Sequence, residues 1–347
     1  MQPTMRGIVV TGIGNVTMVS DIPMPVLQDY QSLVRVHTCG FCNGTDMQII
    51  NGTITEAEGL MPFPTILGHE GACEVIETGH KVKYIHIGDR FIYPDTPKWC
   101  GSYSCTFGTM AEYSVVYDRQ AMREDGIAPD LIPTDNRCCL FPKDISFEDG
   151  AVLLSLLECI SAVHNLGLGA GMKVLIYGAG PMGMGVANYL HLLGADVVLV
   201  DGIQERLDYA QKSFGIAKIV NFHTTPLDSL YSKQSFDAVI DLVGSSKVLL
   251  EGTSYLCQGG KLCSMGVLKK TDSAMNISLL QNNTCLHMLN FPYRRMSYMP
   301  ELIDMIRSGQ LNPKLFYSHV LPPEHIDDCV NMIRNKQALK VVISFDL

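Results

Sequence analysis

The 347-residue sequence is 47% hydrophobic and 18% charged, which supplies material for buried cores and excludes a disordered, solvating chain. At about 150 residues per domain the length suits two domains. A net charge of -9 argues against a nucleic-acid partner, which calls for a basic face. Met1 to Thr17 lacks the apolar run of a signal peptide, and no uninterrupted apolar stretch is long enough to span a bilayer. A soluble, cytoplasmic protein without a membrane partner is expected. The twelve cysteines are scattered along a long chain, so most are expected to be free thiols. Cys73, Cys159, Cys257, Cys263, Cys285 and Cys329 have apolar or strand-like neighbours and are expected to be small buried hydrophobes.

Up to about Gly150 the chain reads as short β-rich pieces: 7–10, 32–37, 73–77, 89–92 and 111–116, punctuated by Gly and Pro. From Ala151 the texture changes. A helical run to Leu166 leads through Gly-Ala-Gly into the strand Lys173 to Tyr177. Strands at 196–201, 217–220, 236–241 and 260–266 then alternate with helices, which predicts a parallel, doubly wound sheet. Helices near 300–308 and 323–334 and a strand at 340–345 close the sequence, and no internal repeat is visible.

The strand Lys173 to Tyr177 runs directly into Gly178-Ala179-Gly180-Pro181-Met182-Gly183, and an apolar helix follows. In that context the G-x-G-x-x-G pattern is a dinucleotide fingerprint. Gly178 permits the tight turn, Gly180 lets a pyrophosphate approach the backbone, and Gly183 allows close packing of helix on strand. Pro181 and Met182 complete the cofactor loop. Asp201 ends the next strand, where a carboxylate accepts the ribose hydroxyls of NAD and repels the extra phosphate of NADP. NAD is therefore expected, with Arg206 nearby leaving some tolerance of NADP.

The segments Cys39-Gly40-Phe41-Cys42-Asn43-Gly44-Thr45-Asp46 and Leu67-Gly68-His69-Glu70-Gly71, together with the dinucleotide motif, carry a family resemblance. Along nearly its whole length the chain resembles the zinc-dependent medium-chain dehydrogenase/reductase family, of the sorbitol, threonine and alcohol dehydrogenase kind. The resemblance implies an α/β fold with a GroES-like β domain over residues 1–149 and 290–347, and a Rossmann doubly wound parallel-sheet domain over 150–289. It implies Cys42, His69 and Glu70 as ligands of one catalytic zinc, Thr45 as the proton carrier, Lys340 at the cofactor pyrophosphate, and a homodimer or homotetramer. Thiolate, imidazole and carboxylate also suit zinc on their own chemistry, because three protein ligands leave the open position that a Lewis acid needs.

This sequence departs from the family pattern in several places. One extra residue, Asn43 or Gly44, separates Cys42 from Thr45-Asp46; Cys73 replaces a usual glycine; Gln48 stands where many alcohol dehydrogenases carry a relay histidine. Only Cys100 and Cys105 lie where relatives place four structural-zinc cysteines, with Cys138-Cys139 beyond a polar insertion, so the spacing is wrong for a compact second site. Aligned from Gly178, Leu154 replaces an acidic or cysteine residue beside the metal; aligned on His164, Leu157 does, and either way the position is apolar. Glu158, one turn past Leu154, is then the nearest carboxylate and a candidate acceptor for a substrate hydroxyl or ammonium. Thr45, Gln48, Tyr93, Asp95 and Glu158 favour a secondary alcohol rich in polar groups, a polyol or amino-cyclitol, oxidised to its ketone with NAD. The alternatives are a zinc-free NAD(P)H reductase of the same fold and an NAD-binding protein without turnover.

Overall fold

The computed structural model describes residues 3–54, 59–134, 138–268, 272 and 274–347. It divides into two units, Met1–Leu154 with Tyr317–Leu347, and Ser155–Phe316.

The first unit begins with strands β1 (Thr4–Gly12), β2 (Asn15–Pro23) and β3 (Gln31–Gly40), then the short helix α1 (Thr45–Ile50). Strands β4 (Thr65–Ile66), β5 (Glu70–Thr78), β6 (Arg90–Ile92), β7 (Trp99–Cys100), β8 (Tyr103–Cys105) and β9 (Tyr113–Tyr117) follow. Helix α2 (Arg119–Glu124), strand β10 (Cys139–Leu140) and helix α3 (Phe147–Leu166) lead out of it. One sheet has the order β2-β1-β4-β8-β7. Val34, Val36, Cys39, Phe41, Leu67, Cys73 and Val75, most of them on β3 and β5, belong to the main core cluster of this unit. The strand β2 escapes a periodicity reading because only Ile22 is fully buried on it.

The second unit holds β11 (Lys173–Tyr177), α4 (Pro181–Leu192), β12 (Asp196–Asp201), α5 (Gln204–Phe214) and β13 (Lys218–Asn221). It continues with β14 (Phe236–Asp241), α6 (Ser246–Thr253), β15 (Leu256–Ser264), β16 (Cys285–Met288) and α7 (Met299–Arg307). All six strands are parallel, in the order β13-β12-β11-β14-β15-β16. The chain winds outward from β11 to β13, then returns beside β11 and winds the other way. That reversal is the topological switch point at which doubly wound sheets bind ligands, outside the carboxyl ends of the strands. Val174, Leu175 and Ile176 are wholly buried, as strands covered on both faces must be.

Back in the first unit, β17 (His319–Leu321), α8 (Ile326–Arg334) and β18 (Val341–Ser344) complete the chain. The second sheet then reads β10-β6-β5-β3-β18-β17, with β9 also on β3.

Two expectations are corrected here, on residues 290–316 and on two of the cysteines. Residues 290–316 pack with the Rossmann unit rather than the β unit. The Tyr293 carbonyl accepts from Ser161 Oγ at 2.7 Å, Glu301 meets His164 at 3.1 Å, and Tyr209 donates to the Leu315 carbonyl at 2.8 Å. Helix α3, although interrupted by Glu148, Asp149 and Glu158, is long and apolar enough by length and composition to cross a bilayer; 78% of its most apolar window is buried inside the protein, as in a core helix. Of the six cysteines expected in cores, Cys73, Cys159, Cys263 and Cys329 are buried, but Cys257 is half-buried and Cys285 is exposed because it opens the strand β16 at the edge of the sheet.

Candidate active site

Antiparallel register assembles the first site. The end of β3 pairs with the start of β5, Gly40 opposite Glu70 and Cys39 opposite Gly71, so two segments about 30 residues apart deliver Cys42 and His69-Glu70 to one place. On its other side β3 pairs with β18, Gly40 opposite Val342, and the Phe41 amide donates to the Val341 carbonyl at 2.8 Å. Lys340 is thereby brought in from the far end of the chain.

Ligand atoms of Cys42, His69 and Glu70 all lie within 4.8 Å of one another. The Thr45 amide donates to Cys42 Sγ at 3.3 Å, and the Cys42 amide donates to Asp46 Oδ2 at 2.8 Å. Asp46, wholly buried on α1, faces His69 Nδ1 with Oδ1 at 3.8 Å, while Nε2 faces Glu70 Oε1 at 3.9 Å. Phe107 leans its ring on His69, centroids 5.0 Å apart. Lys340, also buried, donates from Nζ to Glu70 Oε2. The Thr45 hydroxyl is half-buried and makes no hydrogen bond among the described residues.

Burial penalises the anions here. It pushes the Asp46 carboxyl up to about 7, although His69 pulls the other way. Burial, then Glu70, raise the Cys42 thiol. For Lys340 burial works to lower the ammonium, but Glu70 and Cys42 outweigh it and hold it above its ordinary value. Asp46 Oδ1 and His69 Nδ1 are buried without a hydrogen-bond partner. Sγ, imidazole and carboxylate would hold a soft-to-borderline dication, which would supply the missing positive charge, and His69 already turns Nδ1 toward Asp46, the carboxylate-histidine arrangement usual behind zinc. The donor set fits zinc.

The second site lies at the carboxyl ends of β11, β12 and β14. Gly178 has φ +104°, a conformation costly for other residues, and a Cβ on Gly183 would stand 1.7 Å from the Gly178 carbonyl oxygen. Gly180 caps α4 with open space where its Cβ would project, and Pro181 takes the first helical position, where no amide is needed. Asp201 accepts from the Ala179 amide at 2.6 Å and from the Ile203 amide at 2.8 Å, and a carboxylate has lone pairs to spare for ribose hydroxyls. Asp241 shapes the neighbouring loop by accepting from the amides of Val243, Gly244 and Ser245. A turn before a helix N-terminus, an open cradle at Gly180 and an acid at the end of the next strand fit NAD.

Residues 28–126 match the model of the alcohol dehydrogenase GroES-like domain, and residues 181–308 that of zinc-binding dehydrogenases. The chain belongs to the zinc-dependent medium-chain dehydrogenase/reductase family. The sorbitol dehydrogenase of Ovis aries is 26% identical over 348 residues, covering 98% of this chain and 96% of that protein. The L-idonate 5-dehydrogenase of Vitis vinifera is also 26% identical, covering 85% and 82%. Among solved structures, an alcohol dehydrogenase from Thermus sp. ATN1 shares the fold with a TM-score of 0.77 at 22% identity, covering 98% of this chain and 99% of that one.

Several expected site residues of this dehydrogenase are engaged elsewhere. Glu158 is ion-paired with Arg295 at 2.5 Å, because a carboxylate among leucines needs a counter-charge. Asp95 is buried against Arg119 at 2.6 Å and so braces the loop rather than awaiting a substrate. Lys340 spends its ammonium on Glu70 instead of standing free for a pyrophosphate. Cys100 and Cys105 meet in the five-stranded sheet, whereas Cys138 and Cys139 sit at β10 of the other sheet, and among the described residues only Cys42, His69 and Glu70 form a group of three donors.

Sequence reasoning missed Asp46, Asn43, Phe107 and Asp241. Asp46 carries a local signal, an acid four residues past a ligand cysteine, the reach that lets it accept from the Cys42 amide. Asn43, one of the two candidates for the extra residue, donates from Nδ2 to the Leu339 carbonyl at 2.8 Å and so ties the Cys42 loop to the segment carrying Lys340. No local pattern announces that contact across the chain.

Proposed function

We propose that this chain oxidises a secondary alcohol of the polyol or amino-cyclitol kind to its ketone, with NAD as hydride acceptor, and catalyses the reverse reduction at the same site. The observation that carries the reading is the convergence of Cys42, His69 and Glu70 on one point, with a buried, unpartnered His69 Nδ1 facing Asp46. The sorbitol and L-idonate dehydrogenases among the relatives support a polyhydroxylated substrate.

When bound, zinc supplies a Lewis acid that acidifies the alcohol, and NAD supplies the hydride acceptor. Cys42, His69 and Glu70 hold the metal. Asp46 fixes the tautomer and ring orientation of His69, and Lys340 offsets part of the charge on Glu70. The Thr45 hydroxyl takes the alcohol proton as it hands its own to solvent water. Phe107 shields His69 from water. Gly178, Gly180, Pro181, Met182 and Gly183 form the pyrophosphate turn, and Asp201 holds the adenosine ribose and selects NAD over NADP. We take the assembly to be a homodimer or homotetramer in the cytoplasm; the exposed apolar side chains of Leu286 and Met288 on the edge strand β16 support association, and cysteines that form no disulfide suit a reducing compartment.

The test is a screen of polyols and amino-cyclitols that follows NADH absorbance, run on the zinc-loaded protein and on Cys42→Ala. Turnover that disappears in Cys42→Ala together with bound zinc, while NAD still binds, is expected. Full activity after chelation would establish a zinc-free reductase, and tight NAD binding without turnover on any substrate would establish a binding protein.

A further inference from the structure

The strands β7 and β8 form a hairpin that turns at Gly101 and Ser102. Trp99 pairs with Ser104 and Cys100 with Tyr103, so Cys100 and Cys105 are diagonal neighbours on one face. Both are buried, and their Sγ atoms stand 3.9 Å apart. Closing to the disulfide length of about 2.05 Å requires side-chain rotation and a small movement of the hairpin, whose turn contains a glycine.

The two thiols are not equivalent. The contact between the two sulfurs draws the Cys100 thiol below its ordinary value against the effect of burial; the same contact, with burial, pushes Cys105 up. Cys100 also forms part of the wall of an open cavity of about 430 Å³, with Lys98, Trp99, Tyr117, Gln28 and Pro23 around it. Lys98 and Trp99 are exposed at this wall, a cation for carboxylates and an aromatic face for a peptide-like body.

We propose that Cys100 and Cys105 form a thiol–disulfide exchange site for small disulfides of the glutathione kind, and that closing the pair disturbs the metal-ligand cluster. The thiolate of Cys100 attacks one sulfur of the small disulfide, forming a mixed disulfide and releasing one small thiol. Cys105 then attacks Cys100 Sγ and displaces the second. One protein disulfide forms, one small disulfide is reduced, and the two protein thiol protons end on the two released thiols.

The link to the metal ligands is short. Cys105 pairs with Ile66 and Ser104 with Thr65 in the parallel contact of β8 with β4, and only Leu67 and Gly68 separate β4 from His69. Two residues past Cys105, Phe107 lies against His69. Any shift of β8 toward Cys100 is therefore felt at His69 from two sides.

The zinc-loaded protein is equilibrated with mixtures of reduced and oxidised glutathione and mapped by mass spectrometry without reduction. Trp99, the only tryptophan of the chain, reports the hairpin by fluorescence. Oxidised glutathione is expected to produce a Cys100–Cys105 link, quench Trp99 and lower turnover several-fold, all reversed by excess thiol. Cys105→Ala should stop at a mixed disulfide on Cys100, and Cys100→Ala should keep its turnover in the same buffer. No link in the wild-type protein under excess oxidised glutathione, or the same loss of turnover in Cys100→Ala, overturns the proposal. Mapping and fluorescence need no substrate, so they decide the exchange chemistry even if the dehydrogenase reading fails.

Discussion

Glu158 lies between Leu157 and Cys159 on α3, where an isolated carboxylate would be costly, and Arg295 reaches it at 2.5 Å. Both side chains keep less than a fifth of their exposure, so removing one charge leaves the other poorly solvated. Glu158→Gln is expected to destabilise the protein by about 1–2 kcal/mol, less than for a fully buried pair because solvent still screens the site. A lowered unfolding midpoint with kcat/KM within two-fold of the parent is the expected result. A ten-fold loss of kcat/KM without a change in unfolding would return Glu158 to the substrate. The residue types alone left both roles open, since a carboxylate accepts equally from a guanidinium and from a substrate ammonium; the partner came from 137 residues away.

Element by element, the strand-turn-helix from β11 to α4 was the most legible part of the sequence. Its conformational demands are local: a positive φ at Gly178, a helix start at Pro181 and a close approach at Gly183. Gly183→Ala forces a methyl group against the Gly178 carbonyl, which must move by more than an ångström to reach ordinary contact. NAD binding measured by calorimetry is expected to weaken at least ten-fold, with zinc content unchanged, because the ligand cysteine and histidine belong to other elements. Unaltered affinity would mean that this turn does not carry the pyrophosphate. Strands without a regular buried face were read less well. β2 buries little of its surface, and β17 and β16 follow from pairing with distant neighbours rather than from their own periodicity.

For the whole molecule, the proposed function gives each unit its own ligand site, zinc at Cys42, His69 and Glu70 in the one and NAD at the Gly178–Gly183 turn in the other. A ligand that binds only the folded state stabilises it by RT ln(1 + [L]/Kd), about 4 kcal/mol at a thousand times Kd. Hydrogen exchange is expected to rise on chelation around His69, Glu70 and Lys340, and to fall on NAD addition around Gly178 to Met182. Equal protection of both regions by NAD in the chelated protein would contradict two separate sites. The sequence alone carried the alternation of strands and helices from β11 onward and the dinucleotide turn, because these depend on propensity, periodicity and residue chemistry within a short window, whereas Cys42, His69 and Glu70 were singled out by the family resemblance. Tertiary structure decided what distant side chains do to one another. Only the β3 register puts Gly40 opposite both Glu70 and Val342, so only the folded chain could show that Asp46 stands behind His69, that Lys340 is held by Glu70, and that the segment 290–316 closes on the Rossmann unit.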